Sequence, residues 1–168
     1  MKKFLAFVTI FSILFTFCSC ADNSGADNSG ADDASFTAKQ AVSVDTVADK
    51  LMASLTFNDE MEENKNDEKT CAVYGFDESL VTDVVRYIGS GATAEELAIF
   101  ECADSSNVKE VTDCINERIQ YLHDGYSDYG PDQVPEIDNA FVKTYGKTVV
   151  FCICTNPDII DGIVLELY

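Results

Sequence analysis

Five cysteines in the C-terminal part of the chain are the residues best suited to metal or redox chemistry. Their number is odd, which is a poor basis for a disulfide framework. Two of them are separated by a single residue, which is neither the C-x-x-C spacing of redox enzymes nor the usual zinc-binding spacing. We therefore favour small, reduced core residues over metal or redox use, and we expect no disulfide within the C-x-C pair. The five are Cys71, Cys102, Cys114, Cys152 and Cys154.

The only histidine, His123, has no second histidine with which to form a His-rich metal site. We expect it at the end of a long helix, where a capping or surface role is favoured over a catalytic one. Asp124, Asp128 and Asp132 follow it, but they lack the terminal glutamate and central glycine of an EF-hand loop. The sequence therefore predicts no metal site and no cofactor.

Hydrolytic chemistry also lacks a recognisable set of groups. There is no G-x-S-x-G motif, and no pair of carboxylates stands out from what reads as a solvated acidic surface. An enzyme is disfavoured because no nucleophile and base are placed together.

Cys20 is a thiol of a different kind, because it directly follows a segment typical of a secretory signal. Met1-Lys2-Lys3 is basic, and the run 4–17 is apolar apart from three hydroxyl residues. This run is too short to cross a membrane. Ser19-Cys20 resembles the end of a bacterial lipobox, where the cysteine is lipidated and the signal is cut before it, although Phe17 departs from the usual leucine. An ordinary secreted protein with a stray cysteine is the alternative.

The domain limits follow from this ending. Residues 1–19 are predicted to be a lipoprotein signal peptide, with Cys20 as the lipid-attachment residue. The lipid is predicted to anchor the protein on the extracytoplasmic face of the cell membrane. Residues 20–43 are predicted to be the lipidated cysteine and a flexible acidic linker, because Ala-Asp-Asn-Ser-Gly occurs twice in succession. Residues 44–168 are long enough for one globular core.

The charge of the chain limits its partners. It has 11 Lys+Arg against 30 Asp+Glu, a net charge of −19. Without Lys2 and Lys3 the balance is 9 − 30 = −21. Such a surface repels nucleic acid and anionic headgroups, so no nucleic acid is expected and membrane contact is assigned to the lipid alone.

The apolar patterns predict the elements that position these residues. Strands are predicted over 80–88, 95–102, 140–145 and 148–154, although Thr93 and Glu96 would also suit a helix start at the second. Helices are predicted after Asp45, over 67–73 and after Asn156-Pro157. The longest predicted helix starts at Asn107, follows a stripe of apolar residues and ends in a loop at 124–131.

These elements predict an α+β fold. It is a single two-layer domain with an antiparallel sheet of about four strands, covered on one face by helices, with an extra N-terminal helix. The four strands form two hairpins, each followed by a helix.

The stretch 90–100, SGATAEELAIF, is similar to the signature of an uncharacterised domain family whose members are mostly lipoproteins of Gram-positive, clostridial-type anaerobes. Other similar features are Tyr74-Gly75, Arg118 with Gln120, and Tyr129-Gly130-Pro131. The resemblance covers residue 44 to the C-terminus. It implies the localisation and the domain limits, but no activity and no catalytic residue.

Tyr129 is the residue that we select as a partner contact, because an exposed tyrosine on a rigid loop suits contact with a glycan or a protein. The alternative, a Tyr129 folded back onto the core, is equally open. The sequence as a whole predicts a lipid-anchored extracytoplasmic binding module for a cell-envelope protein or glycan. The alternatives are a cell-envelope enzyme and a small-ligand or metal-binding lipoprotein.

Overall fold

The computed structural model of the protein describes residues 42–64 and 67–168. The predicted signal peptide, the lipid-attachment residue Cys20 and nearly all of the predicted linker lie outside these residues. Within them, no helix is long and apolar enough to cross a membrane.

The described residues form a five-stranded antiparallel sheet with helices, which confirms the predicted α+β class and the single domain. The strand order is β1-β2-β3-β5-β4, so the hairpins β2–β3 and β4–β5 join through β3 and β5. The four strands predicted from sequence are all present. The strands are β1 (Glu62–Asn64), β2 (Val81–Ile88), β3 (Glu96–Cys102), β4 (Phe141–Tyr145) and β5 (Thr148–Ile153).

The additional strand, β1, lies at the sheet edge, in a stretch that we expected to be irregular. It pairs with the end of β2, with Glu62 opposite Ile88. Its three residues are Glu, Glu and Asn, which carry no apolar alternation and have low strand propensity. Backbone pairing with β2, rather than side-chain burial, therefore makes this strand.

In the described part of the chain, five α-helices accompany the sheet: α1 (Val44–Met52), α2 (Asp67–Tyr74), α3 (Val108–Tyr129), α4 (Val134–Asp138) and α5 (Ile160–Leu165). α1 begins two residues earlier than expected, and the Ser43 hydroxyl, not Asp45, accepts the capping bond from the Thr46 N–H. α3 starts after Asn107, as predicted, but the Asn107 side chain makes no capping bond there, because its amide donates to the Leu80 carbonyl.

Both faces of the sheet are covered, whereas the sequence predicted one. On one face Val84, Phe100 and Phe151 pack with residues of α2, α3 and α4. On the other, Val85 and Ile99 pack with residues of α1 and α5. β3 and β5 lie inside the sheet and are buried on both sides, which is why their sequences are apolar without alternation. The "extra" N-terminal helix is therefore half of a second helical layer.

α3 is longer than its sequence indicates. Gly125 and Ser127 suggested a loop, but the helix continues to Tyr129 and ends at Gly130, whose N–H donates to the Tyr126 carbonyl. Tyr126 is buried against the core, which holds the last turn in helical form despite the glycine.

Candidate functional site

A group of four polar side chains is buried between the sheet and the helices α2 and α3, and we name it the Glu96 cluster. Its members are Tyr74, Arg86, Glu96 and Arg118. β2 and β3 place Arg86 and Glu96 on one face, because Arg86 lies opposite Ala98, two residues along the strand from Glu96. α2 ends with Tyr74, and the middle of α3 supplies Arg118.

Both oxygens of the Glu96 carboxylate are occupied. Oε1 accepts from the Tyr74 hydroxyl and from Arg86 Nε, each at 2.6 Å. Oε2 accepts from Arg118, at 3.0 Å from Nη2 and 3.3 Å from Nε. Charge-assisted bonds of this kind are about twice as strong as neutral ones. The carboxylate therefore fixes one residue of each of three other elements.

The cluster contains both arginines of the chain. The Glu96 side chain is 3% exposed, Arg86 6% and Arg118 16%. Burial, reinforced by the charge of Glu96, raises the pKa of the Tyr74 hydroxyl well above its ordinary value. Tyr74 thus stays protonated and acts as a hydrogen-bond donor.

The residues before Glu96 form a loop that is tied to several elements. Ser90 donates from both its N–H and its hydroxyl to the Asp59 carboxylate, at 2.7 and 2.6 Å. The Tyr126 hydroxyl contacts the Gly91 and Thr93 carbonyls, at 3.2 and 2.5 Å. Gly91 has a φ of +90°, a conformation that favours glycine. This loop is the SGATAEE stretch, and its bonds to Asp59 and Tyr126 hold the position of Glu96.

Glu95, next to Glu96, is also buried, but its carboxylate binds the segment between α1 and β1. It accepts from the backbone N–H groups of Asn58 and Asp59, at 2.6 and 2.9 Å, and from the Thr93 hydroxyl at 3.1 Å. The two adjacent glutamates therefore organise different parts of the structure.

The Glu96 cluster borders two depressions. A small cleft of about 130 Å³ lies beside the Gly89–Gly91 turn and reaches Arg86, Arg118 and Tyr126. An open groove of about 390 Å³, which we name the α2–α3 groove, is lined by Val73, Tyr74, Gly75, Glu117, Arg118 and Tyr121. Arg118 borders both, so the cluster connects the buried interior with the groove.

The five cysteines are free thiols, and all but Cys114 are buried. Burial raises the pKa of Cys71 and of Cys102 to about 11 in each case. Burial and a hydrogen bond with Cys154 raise the pKa of Cys152 well above its usual value, while the same bond lowers the pKa of Cys154. The expectation that Cys152 and Cys154 form no disulfide stays a prediction.

The sequence predicted that His123 lies at the end of the long helix. It does not, because α3 continues for six more residues to Tyr129. Its Nδ1 lies 3.6 Å from Asp124 and its Nε2 lies 3.6 Å from Asp138. Among residues 42–64 and 67–168, no three His, Cys, Asp or Glu side chains are grouped so as to hold a metal ion.

Tyr129 is the last residue of α3 and not part of a loop beyond it, which corrects the predicted position. It is 67% exposed, and its ring centroid lies 4.8 Å from that of Tyr126. The residue is therefore not folded into the core. Its role as a partner contact stays a prediction.

We expect Tyr129→Ala to lower the free energy of unfolding by about 0.5–1.5 kcal/mol, the range of an aromatic pair. A core aromatic cut to alanine would lose about 3–5 kcal/mol. Urea denaturation followed by circular dichroism measures the difference. A loss in the core range would mean that Tyr129 is a structural residue.

Glu96 was not selected as a site residue from sequence, although Tyr74, Glu96 and Arg118 lie within the stretches noted for the family resemblance. A usable signal was present. Arg86 and Glu96 are charged residues of opposite sign within or beside apolar strand segments. Charged residues at buried strand positions require partners.

Residues 53–154 match the model of a family described as a domain of unknown function, DUF4358. The matched range includes all four members of the Glu96 cluster. No curated protein and no solved structure matches the chain.

Proposed function

We propose that the chain, which belongs to the DUF4358 family, is a lipid-anchored extracytoplasmic binding module that holds its partner at the α2–α3 groove. The lipid would be carried by Cys20, and the partner would be a cell-envelope protein or glycan. The enzymatic alternative has weaker support, since both oxygens of Glu96 are committed to fixed pairs.

A single observation carries the proposal: a highly exposed aromatic ring stands beside a rigid, buried ion cluster. Tyr121 is 70% exposed and borders the groove. The guanidinium carbon of Arg118 lies 5.6 Å from the centroid of its ring. Because Arg118 is held by Glu96, this edge of the groove is ordered before a partner arrives. Rigid aromatic anchors of this kind contribute contact area at low entropic cost.

The surface available for such contact extends along α3. Tyr129, near the end of the helix, is also highly exposed. Tyr121 and Tyr129 are eight residues apart in one helix, which places them about 12 Å apart along its axis. A partner larger than a single small molecule could therefore reach both.

Photo-crosslinking on living cells tests this function. A photoreactive phenylalanine analogue placed at Tyr121 should capture a discrete partner, while the same group at Lys50 should not. Lys50 is exposed on α1, at the opposite face of the sheet, and is thus a matched control. Equal capture at both positions, or capture at Lys50 alone, would remove the α2–α3 groove from consideration.

The anchor has its own prediction. Cys20→Ala should prevent lipidation, leave the signal uncut and abolish labelling by a radioactive or alkyne-bearing fatty acid. Cys18→Ala is the control, because bulky Phe17 precedes Cys18 and a small residue precedes Cys20. Normal processing and labelling of the Cys20→Ala protein would contradict the lipoprotein assignment.

A further inference from the structure

The ligand class of the α2–α3 groove follows from the charges at its rim, and this step rests on the proposed function. We propose that the groove binds a neutral, hydroxyl-rich ring, that is, an uncharged sugar unit of a cell-envelope glycan. The determining feature is the pair of adjacent residues Glu117 and Arg118, which line the groove with opposite charges.

The size of the groove sets the first limit. A volume of about 390 Å³ lies near the lower end of the range of about 300–1,000 Å³ for small-ligand sites. It therefore suits one or two rings.

The polar groups set the second limit. Arg118 can only donate hydrogen bonds, and since its Nε and Nη2 donate to Glu96, it would do so from Nη1, whereas the carboxylate of Glu117 accepts them. An anionic ligand would pair with Arg118 and face Glu117, and a cationic ligand would do the reverse. Placing a charged group beside a like charge costs affinity. Hydroxyl groups both donate and accept, so a neutral polyol satisfies both residues.

The apolar groups supply the third limit. The exposed ring of Tyr121 and the exposed side chain of Val73, at 43%, present apolar surface on the two helices. A sugar ring has one flat face of C–H groups and a polar perimeter, which matches an aromatic plate with charged residues beside it. The net charge of −19 also repels anionic polymers at long range.

Saturation-transfer NMR and calorimetry on the full-length protein in detergent micelles test the inference. The probes are chito-oligosaccharides and malto-oligosaccharides as neutral ligands, oligogalacturonate as the anionic one and chitosan oligomers as the cationic one. We expect at least one neutral series to bind and both charged series to bind about tenfold more weakly or worse. Tyr121→Ala should weaken neutral binding by about tenfold or more, while Leu165→Ala, at an exposed position of α5 on the other face of the sheet, should leave it within about twofold.

Several outcomes would overturn this inference. They are the absence of binding to any neutral probe at millimolar concentration, equal binding of a charged probe, and neutral binding that survives Tyr121→Ala. The crosslinking experiment at Tyr121 separates the two levels of the proposal. Capture of a protein there, with no sugar binding, would keep the binding-module function and reject the sugar, whereas failure of both experiments would reject both.

Discussion

Glu96→Gln is expected to lower the free energy of unfolding by about 3–5 kcal/mol, the range for removing one partner of a buried ion pair. The change keeps the shape of the side chain but removes its charge. Arg86 and Arg118 would then lie close together in a poorly solvated site without a counter-charge. One amide nitrogen would also face arginine or tyrosine donors in place of an accepting oxygen. Urea denaturation of the purified protein measures the effect.

Glu101→Gln is the matched control, because Glu101 lies on the same strand and also contacts a cation. Its side chain is 28% exposed, and it lies 3.5 Å from Lys147. It also accepts a hydrogen bond from Thr148 at 2.8 Å. Partly exposed pairs of this kind contribute about 0–1 kcal/mol. If both variants lose the same small amount, the Glu96 cluster does not hold the helices and the sheet together.

The sheet was largely predictable because its strands carry strong local signals. β2 is rich in β-branched residues, and β5 is a continuous apolar run that ends before Asn156-Pro157. Gly146, between β4 and β5, has a φ of +63°, as a tight hairpin turn requires. The strand interpretation of 95–102 was also right, and Glu96 enters the buried cluster instead of a capping box.

The elements that the sequence did not reveal depend on tertiary contacts. β1 has no pattern of its own, and α4 has only five residues, with Pro135 in its first turn. The last turn of α3 contains the polar residues Ser127 and Asp128 between Gly125 and Gly130, a composition typical of a loop. The buried Tyr126 ring keeps this turn helical. The second helical layer was hidden for a similar reason. Apolar runs on β3 and β5 indicate burial on both faces, but no pattern says which helix covers each face.

The site was less predictable than the fold, because its members come from four separate elements. Tyr74, Arg86, Glu96 and Arg118 are spread over 45 positions of the sequence, and only the pairing of β2 with β3 and the packing of α3 on the sheet bring them together. The residue chosen from sequence, Tyr129, is exposed as required of a contact residue. The more exposed Tyr121, beside Arg118, was not selected, since it sits within a helix and carries no local signal.

The second large effect on the free energy of unfolding is expected at Tyr126, which is only 4% exposed. Tyr126→Ala should cost about 3–5 kcal/mol, the range for removing a core aromatic ring. Tyr126→Phe separates the ring from the hydroxyl. It should cost about 1–3 kcal/mol, because the Gly91 and Thr93 carbonyls lose a shared donor.

The loss should also reach the Glu96 cluster, because the loop that Tyr126 holds leads directly into Glu96. Amide hydrogen exchange in 90–95 should therefore accelerate in Tyr126→Phe, while exchange in α1, on the other face of the sheet, should not change relative to global stability. Burial raises the pKa of the Tyr126 hydroxyl, so it remains a donor at neutral pH and the effect should not depend on pH between about 6 and 8. Unchanged exchange in the loop, with unchanged stability, would show that these two hydrogen bonds do not position Glu96. In that case the cluster would owe its geometry to the strand register and to α3 alone.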